Sequence, residues 1–439
     1  MGVIKESLIL NFILPISDLK FKTRIHGWYK SIKSMQNWSP EKIRSWQQTK
    51  LHDLVTTAYN HSCYYHELFD KIGIKPNDIK TIEDLKIIPP LTKEIIRERM
   101  DDILLDTKEH YNYKLGSTGG STGNPTKYYK DNNSWGFDNA YNITMWKQTG
   151  YRYGDKFLAL GSSSIFPINK KSFVHNIFYR MKGKMPFNAM NMSDEILEKC
   201  LNVLLENKIH YIYGYASSIF LLAKYVIDKK YQNKLSIKAC FPTSEILTDT
   251  YRNVIKQAFN CYILDSYGAH DGGIVAHNLG DGFKVGYNCI VQLKDEDNNQ
   301  GSALLTDLTN TVFPFIRYEL GDELKMGQGY NSFFNGQVIE RVIGRTSDII
   351  ELSNGRKLTG PGFTILFKDL NIIGYRILKT GPLELTIEIV KNQNYTEAEE
   401  KLIIDTLHKH AGADCSIKII YVEEISKRAN GKNLFFLND

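Results

Sequence analysis

Between residues 41 and 110 the apolar positions Ile43, Trp46, Leu51, Leu54 and Val55 keep the spacing of a single helix face. Ser39 followed by Pro40 predicts where that helix begins, because proline suits the first helical position. Pro89 and Pro90 interrupt the pattern, and Thr92 is placed to cap a second helix running through residues 93–100. Ahead of these lies an apolar patch from Leu8 to Ile16, broken by Asn11 and Pro15. It is too short to span a bilayer and lacks a small-residue cleavage site. It reads as a buried helix, with a peripheral or partner-facing helix as the alternative.

Farther along, short apolar runs alternate with helical periodicity. Strand-like segments at 157–161, 209–214, 237–242 and 261–268 are interleaved with helix-like ones at 195–207, up to about Lys229, and at 248–259. This alternation predicts α/β layers around a largely parallel sheet. From Phe283 to Tyr318 the pattern turns to short strands with turn signals, and beyond Arg345 it changes again. Segments 374–379, 383–390 and 415–422 read as strands and 396–412 as an amphipathic helix, ahead of a basic run from Lys427 to Asn433. The predicted organisation is a large α/β N-terminal domain of layered sheets and helices, residues 1–344, helical over 1–110 with its core in 111–344. A small α+β C-terminal domain, 345–439, follows.

Composition narrows the class. At 439 residues the chain exceeds one ordinary core. A hydrophobic fraction of 42% and a charged fraction of 24% are those of a globular protein. The net charge of +6 is too small and too scattered to point to nucleic acid. Six cysteines without a CxxC pair fit reduced thiols, and so a cytoplasmic protein, better than a disulfide framework.

The densest chemical signal is GSTGGSTGNPTKYYK, Gly116–Lys130, with four glycines and five hydroxyl residues before Lys127. Glycines let successive N–H groups converge on an anion, and Lys127 adds a point charge suited to a polyphosphate. A flexible linker is the plain alternative, and a Walker loop is excluded because no Gly-Lys-Ser/Thr follows. Four shorter motifs come after. In SYGAHD, Tyr267 and Gly268 form a turn whose aromatic face suits a purine, and Asp271 is a candidate magnesium ligand. In FPFIRYELGD, Asp322 is placed to accept two hydrogen bonds from a ribose diol, or simply to satisfy its own turn. In VIGRTSD, Arg345 is a candidate nucleotide contact within a hinge-like segment, or part of an ordinary linker. In KRANGKN, Lys432 either delivers a cation to a site elsewhere or sits in a solvated tail. His270, His277 and Cys289 suggest zinc, but their spacing matches no standard zinc pattern.

Together and in this order, the motifs resemble the adenylate-forming superfamily of acyl-CoA synthetases, adenylation domains and luciferases. Nearest is the phenylacetate–CoA ligase branch, with the CapK-type proteins of capsular polysaccharide genes. The segment WQQTKLHDLVTTAYNHSCYYHELFDKIG, YIYGYASSIFLLA and PTSEIL are also similar. The resemblance implies that Ser117, Thr118, Gly119, Gly120, Ser121, Thr122, Gly123 and Lys127 hold the ATP phosphates, and that Ser244 and Glu245 form the adenine-side turn. It assigns magnesium to Asp271, the ribose to Asp322, and the reacting carboxylate and phosphate to Lys432, while Tyr213, Tyr215 and Gly161 border the acyl pocket. Three departures stand out: Asp271 replaces the usual Glu, Ser347 replaces a charged hinge residue, and no Pro-Arg precedes Asn430-Gly431-Lys432.

The implied activity is activation of a small carboxylic acid by ATP and Mg2+, with the 345–439 domain as a mobile lid. Coenzyme A is the expected acceptor, a sugar amine or hydroxyl the alternative, and a degenerate nucleotide-binding scaffold the non-enzymatic rival. No nucleic acid and no transmembrane segment are expected, and a homodimer is compatible with the sequence.

Overall fold

The computed structural model describes residues 2–118, 126–161, 183–189, 191–327, 336–343, 349–359, 363, 366–367, 370–423 and 436–438. The chain divides into two compact units: Met1–Ser117, Thr126–Gly154 and Leu264–Gly344 form the first, and Thr118–Pro125, Asp155–Ile263 and Arg345–Asp439 the second.

The first unit joins helices to an antiparallel sheet. The expected helices are present at Pro40–His61 and Lys93–Ile103. Ser39 Oγ accepts from Lys42 N–H and Thr92 Oγ1 from Ile95 N–H, each satisfying a backbone donor that the first turn leaves unpaired. The strands run in the order Cys289–Asp297, Gln300–Asp307, Tyr318–Met326, Val338–Ile343, Phe283–Val285, Ile274–Asn278, Asp265–Ala269, with antiparallel neighbours throughout. Beneath them Leu54, Phe69, Phe313, Phe315 and Tyr318 form part of one continuous apolar core.

The predicted parallel sheet is confined to the second unit. There Lys184–Asn188, Phe157–Gly161, Tyr211–Tyr215, Ala239–Thr243 and Tyr262–Ile263 pair in parallel in that order. Gly214 lies so close to the adjacent strand that a Cβ there would stand 2.2 Å from the Leu160 carbonyl oxygen, so only glycine fits. A separate four-stranded sheet runs Ser416–Tyr421, Glu384–Lys391, Ile372–Gly381, Phe436–Asn438. Helix Glu397–Ala411 accompanies it, closed by a capping box between Thr396 and Glu399.

Three expectations need correction. Tyr267 and Gly268 do not form a turn: both lie within the strand Asp265–Ala269, paired with Ile274–Asn278, and the chain reverses only after it. The basic run is not the end of regular structure, since Phe436–Asn438 pairs in parallel with Ile377–Lys379. The N-terminal helix is buried on one side only. Ile9, Leu10 and Leu14 point inward, whereas Leu8, Phe12 and Ile16 are exposed.

Candidate functional site

The glycine loop connects the strands of an antiparallel hairpin, Tyr113–Ser117 and Lys127–Asp131, with Ser117 opposite Lys127. Gly119, Gly120, Ser121, Thr122 and Gly123 lie outside the described residues, as do Arg345 and Lys432. Lys127 is exposed. Period-2 alternation turns Tyr128 and Lys130 to the opposite face, where both are buried. Lys130 Nζ donates to Asp138 Oδ2 at 2.7 Å and to the His270 carbonyl at 3.3 Å. This links the hairpin to the turn that carries Asp271. Burial works against both charges of the pair, yet the Asp138 carboxylate holds Lys130 above its ordinary value and Lys130 holds Asp138 below the usual carboxylate range.

That turn, His270–Gly273, reverses the chain through Gly272 and Gly273, at φ +77° and +70°. A Cβ on Gly273 would fall 2.0 Å from Asp307 Oδ2. Asp271 is buried there and accepts from the Tyr318 hydroxyl at 2.8 Å. Four residues after Tyr318, Asp322 accepts from the Tyr267 hydroxyl at 2.9 Å. Tyr267 in turn stands four residues before Asp271. The two Tyr-x-x-x-Asp segments therefore clasp each other, each lending its hydroxyl to the other's carboxylate. Burial, and then the charge of the partner aspartate, raise both phenols far above their ordinary range, so they remain donors. Tyr128 lies close enough for Asp271 to raise it too, after burial.

In the second unit, Glu245 accepts from the Ser217 N–H at 2.7 Å and the Ser217 hydroxyl at 3.0 Å. It thereby supplies an anion to the N-terminus of helix Ala216–Asp228. Ser244 beside it is exposed and adopts φ +67°. Tyr213 is half-buried, its phenol pushed up to about 12 by burial and then by Tyr215. Tyr215 is buried in the core of this unit, and Gly161 closes the Phe157–Gly161 strand.

The zinc grouping does not assemble. His277 is fully buried, with Nδ1 2.9 Å from Ser266 Oγ and Nε2 2.7 Å from Asn142 Oδ1, so both ring nitrogens are committed to protein partners. Burial depresses its pKa to about 3. Cys289 is buried and its thiol is pushed up by burial, then by Asp307, away from the thiolate a metal needs. Among the described residues no cluster of three or more His, Cys, Asp or Glu is arranged to hold a metal ion. Magnesium makes a lighter demand, since it commonly takes one or two carboxylates together with phosphate oxygens and water. Asp271 fits such a role.

Sequence reasoning passed over Lys130, Asp138, Tyr128 and Tyr318. Lys130 and Tyr128 carried a signal, the alternation in KYYKD, whereas Asp138 looks like any polar residue inside a helix.

The antiparallel sheet unit, the parallel sheet unit and the small four-stranded sheet form a fold shared with a solved CoA ligase. 2-Hydroxyisobutyryl-CoA ligase, solved in the postadenylation state with an acyl-AMP, superposes with a TM-score of 0.57 at 16% identity, over 92% of each chain. In sequence the chain is similar to protein CapK of Staphylococcus aureus, 24% identical over 94% of this chain and 92% of CapK. It is also similar to phenylacetate-coenzyme A ligase of Pseudomonas putida, 23% identical over 85% and 88% of the two chains. Residues 350–439 match the CapK C-terminal domain family. The resemblance read from the motifs, to the phenylacetate–CoA ligase-like branch that includes CapK, is thereby borne out.

Proposed function

We propose that the protein is an AMP-forming acid–thiol ligase. The observation that carries this reading is the reciprocal clasp of Tyr267–Asp322 and Tyr318–Asp271, which ties a turn carboxylate to a strand carboxylate of the same unit. Asp322 serves as acceptor for the ribose diol, and the loop after Ser117 together with Lys127 binds the phosphates. A substrate carboxylate oxygen attacks the α-phosphorus, the bond to the β-phosphate bridging oxygen breaks, and pyrophosphate leaves. The thiol of coenzyme A, losing its proton, then attacks the acyl carbon of the adenylate and AMP departs. Apart from positioning, the chain's task is to offset negative charge, and Lys432 is the cation assigned to it. Asp271 would hold the magnesium ion that accompanies ATP, which supplies charge neutralisation on the phosphates when bound. Residues 345–439 act as the mobile lid, with Arg345 at the hinge.

Carboxylate-dependent exchange of labelled pyrophosphate into ATP, run over a panel of acids, tests the first half-reaction. Absence of exchange with every acid would favour a nucleotide-binding scaffold. A second reading of the acceptor is favoured by the near full-length similarity to CapK, whose name suggests surface saccharide chemistry. With an accepted acid, mass spectrometry separates a coenzyme A thioester from an acylated amino sugar.

A further inference from the structure

The N-terminal helix is apolar on two opposite sides. Gly2–Leu8 runs through a π turn, Ile9–Ile13, into Leu14–Phe21. Ile9, Leu10, Leu14 and Ser17 are buried on the inner side. Outside, Ile4, Leu8, Phe12, Ile16 and Leu19 are between 52% and 84% exposed. Their spacing is four, four, four and three. In an unbroken α-helix each step of four overshoots a full turn by about 40°, so three such steps would spiral the row away from its face. The wider i→i+5 turn takes up part of that drift and keeps the five in one stripe. With Phe21, this segment holds half of the large exposed apolar side chains among the described residues; the remainder are scattered.

Charge around the stripe has one sign. Lys20, Lys22 and Arg24 are exposed at its C-terminal end. Both acids of the first 36 residues are engaged: Glu6 pairs with Lys147 and accepts from Tyr153 N–H, and Asp18 accepts from Thr23 Oγ1, Ile25 N–H and His26 N–H. An apolar ridge on an exposed helix face with a cationic end matches a helix that lies in a lipid headgroup layer. Among the described residues no helix is long and apolar enough to cross a membrane. We propose that this face docks the protein on an anionic lipid bilayer.

The test is cosedimentation of the full chain with vesicles of phosphatidylcholine alone or with one third phosphatidylglycerol. Binding to the anionic vesicles is expected. It should fall at least tenfold in Leu8→Ser/Phe12→Ser/Ile16→Ser, a variant whose thermal unfolding should match the parent because all three sites are exposed. Lys20→Glu/Lys22→Glu should weaken anionic binding and leave neutral binding unchanged, and added salt should do likewise. Phe12→Trp should show a blue-shifted emission on anionic vesicles. No binding, or binding indifferent to the triple serine variant, would overturn the proposal. So would self-association abolished by that variant without any vesicle binding, which would assign the face to a second copy of the chain.

Discussion

The hydroxyl of Tyr267 donates to Asp322 Oδ2 across 2.9 Å, joining the Asp265–Ala269 strand to Tyr318–Met326 within the first unit. Because Tyr318 returns the same contact to Asp271, neither carboxylate is free to turn independently of the other segment. Replacing Asp322 by Ala is expected to weaken ATP binding roughly 10- to 100-fold, through loss of a charge-assisted diol contact. Tyr267→Phe keeps the carboxylate and removes only its orienting donor, so its effect should stay within about tenfold. Calorimetric titration with ATP measures both. An Asp322→Ala protein that binds like the parent would remove the ribose assignment.

If Lys432 supplies the proposed cation, Lys432→Ala should slow adenylation by ~10²-fold or more. Thioester formation from a preformed acyl-adenylate should be far less affected. Pyrophosphate exchange and single-turnover thioester assays separate the two steps, and equal losses in both would mark the lysine as structural.

The buried pair Lys130–Asp138 should behave asymmetrically. Lys130→Met alone leaves a carboxylate uncompensated in the interior and is expected to cost ~3–5 kcal/mol of stability. Lys130→Met/Asp138→Leu should recover most of that loss. Urea denaturation of the two variants and the parent tests it, and a double variant no more stable than Lys130→Met would refute the pairing.

His277 sets a pH dependence. Its folded pKa of about 3 lies below the ordinary 6.5, so the unfolded chain takes up its proton first as pH falls. The folded state therefore loses stability as pH drops through 6.5 towards 3, by about 2 kcal/mol at pH 5 from this group alone. Above 6.5 the histidine is neutral in both states and contributes nothing. NMR should find the His277 ring still neutral at pH 4.5. A ring that titrates near 6 would contradict its burial between Ser266 and Asn142.

Elements with their own punctuation were legible in the sequence. Pro40 after Ser39 and Thr92 after the double proline each mark a helix start by local chemistry, and the helices begin there. Strand direction was legible only where helices alternate with strands, in the second unit. A run such as DSYGA reads the same whether its neighbour is parallel or antiparallel, and only the two glycines of the following turn hint at a hairpin. The clasp was half legible: all four of its residues sit in motifs that attract attention, but their crossing depends on strand register, which no local signal carries. The N-terminal helix misled for a different reason. Hydrophobicity on both sides of a helix suggests burial, and only the fold shows which side the rest of the chain covers.

The pairing of Phe436–Asn438 with Ile377–Lys379 has a kinematic consequence. Phe436 is the fourth residue after Lys432, so covalent geometry alone keeps the lysine Cα within ~14 Å of a point fixed in the four-stranded sheet. That span is a short covalent leash. Were it to serve one half-reaction and leave for the other, any displacement beyond that radius would have to be made by the sheet itself. The stroke would then be a property of the whole four-stranded sheet, and shortening the leash by a residue or two should change the lysine's reach more than any distance the sheet moves.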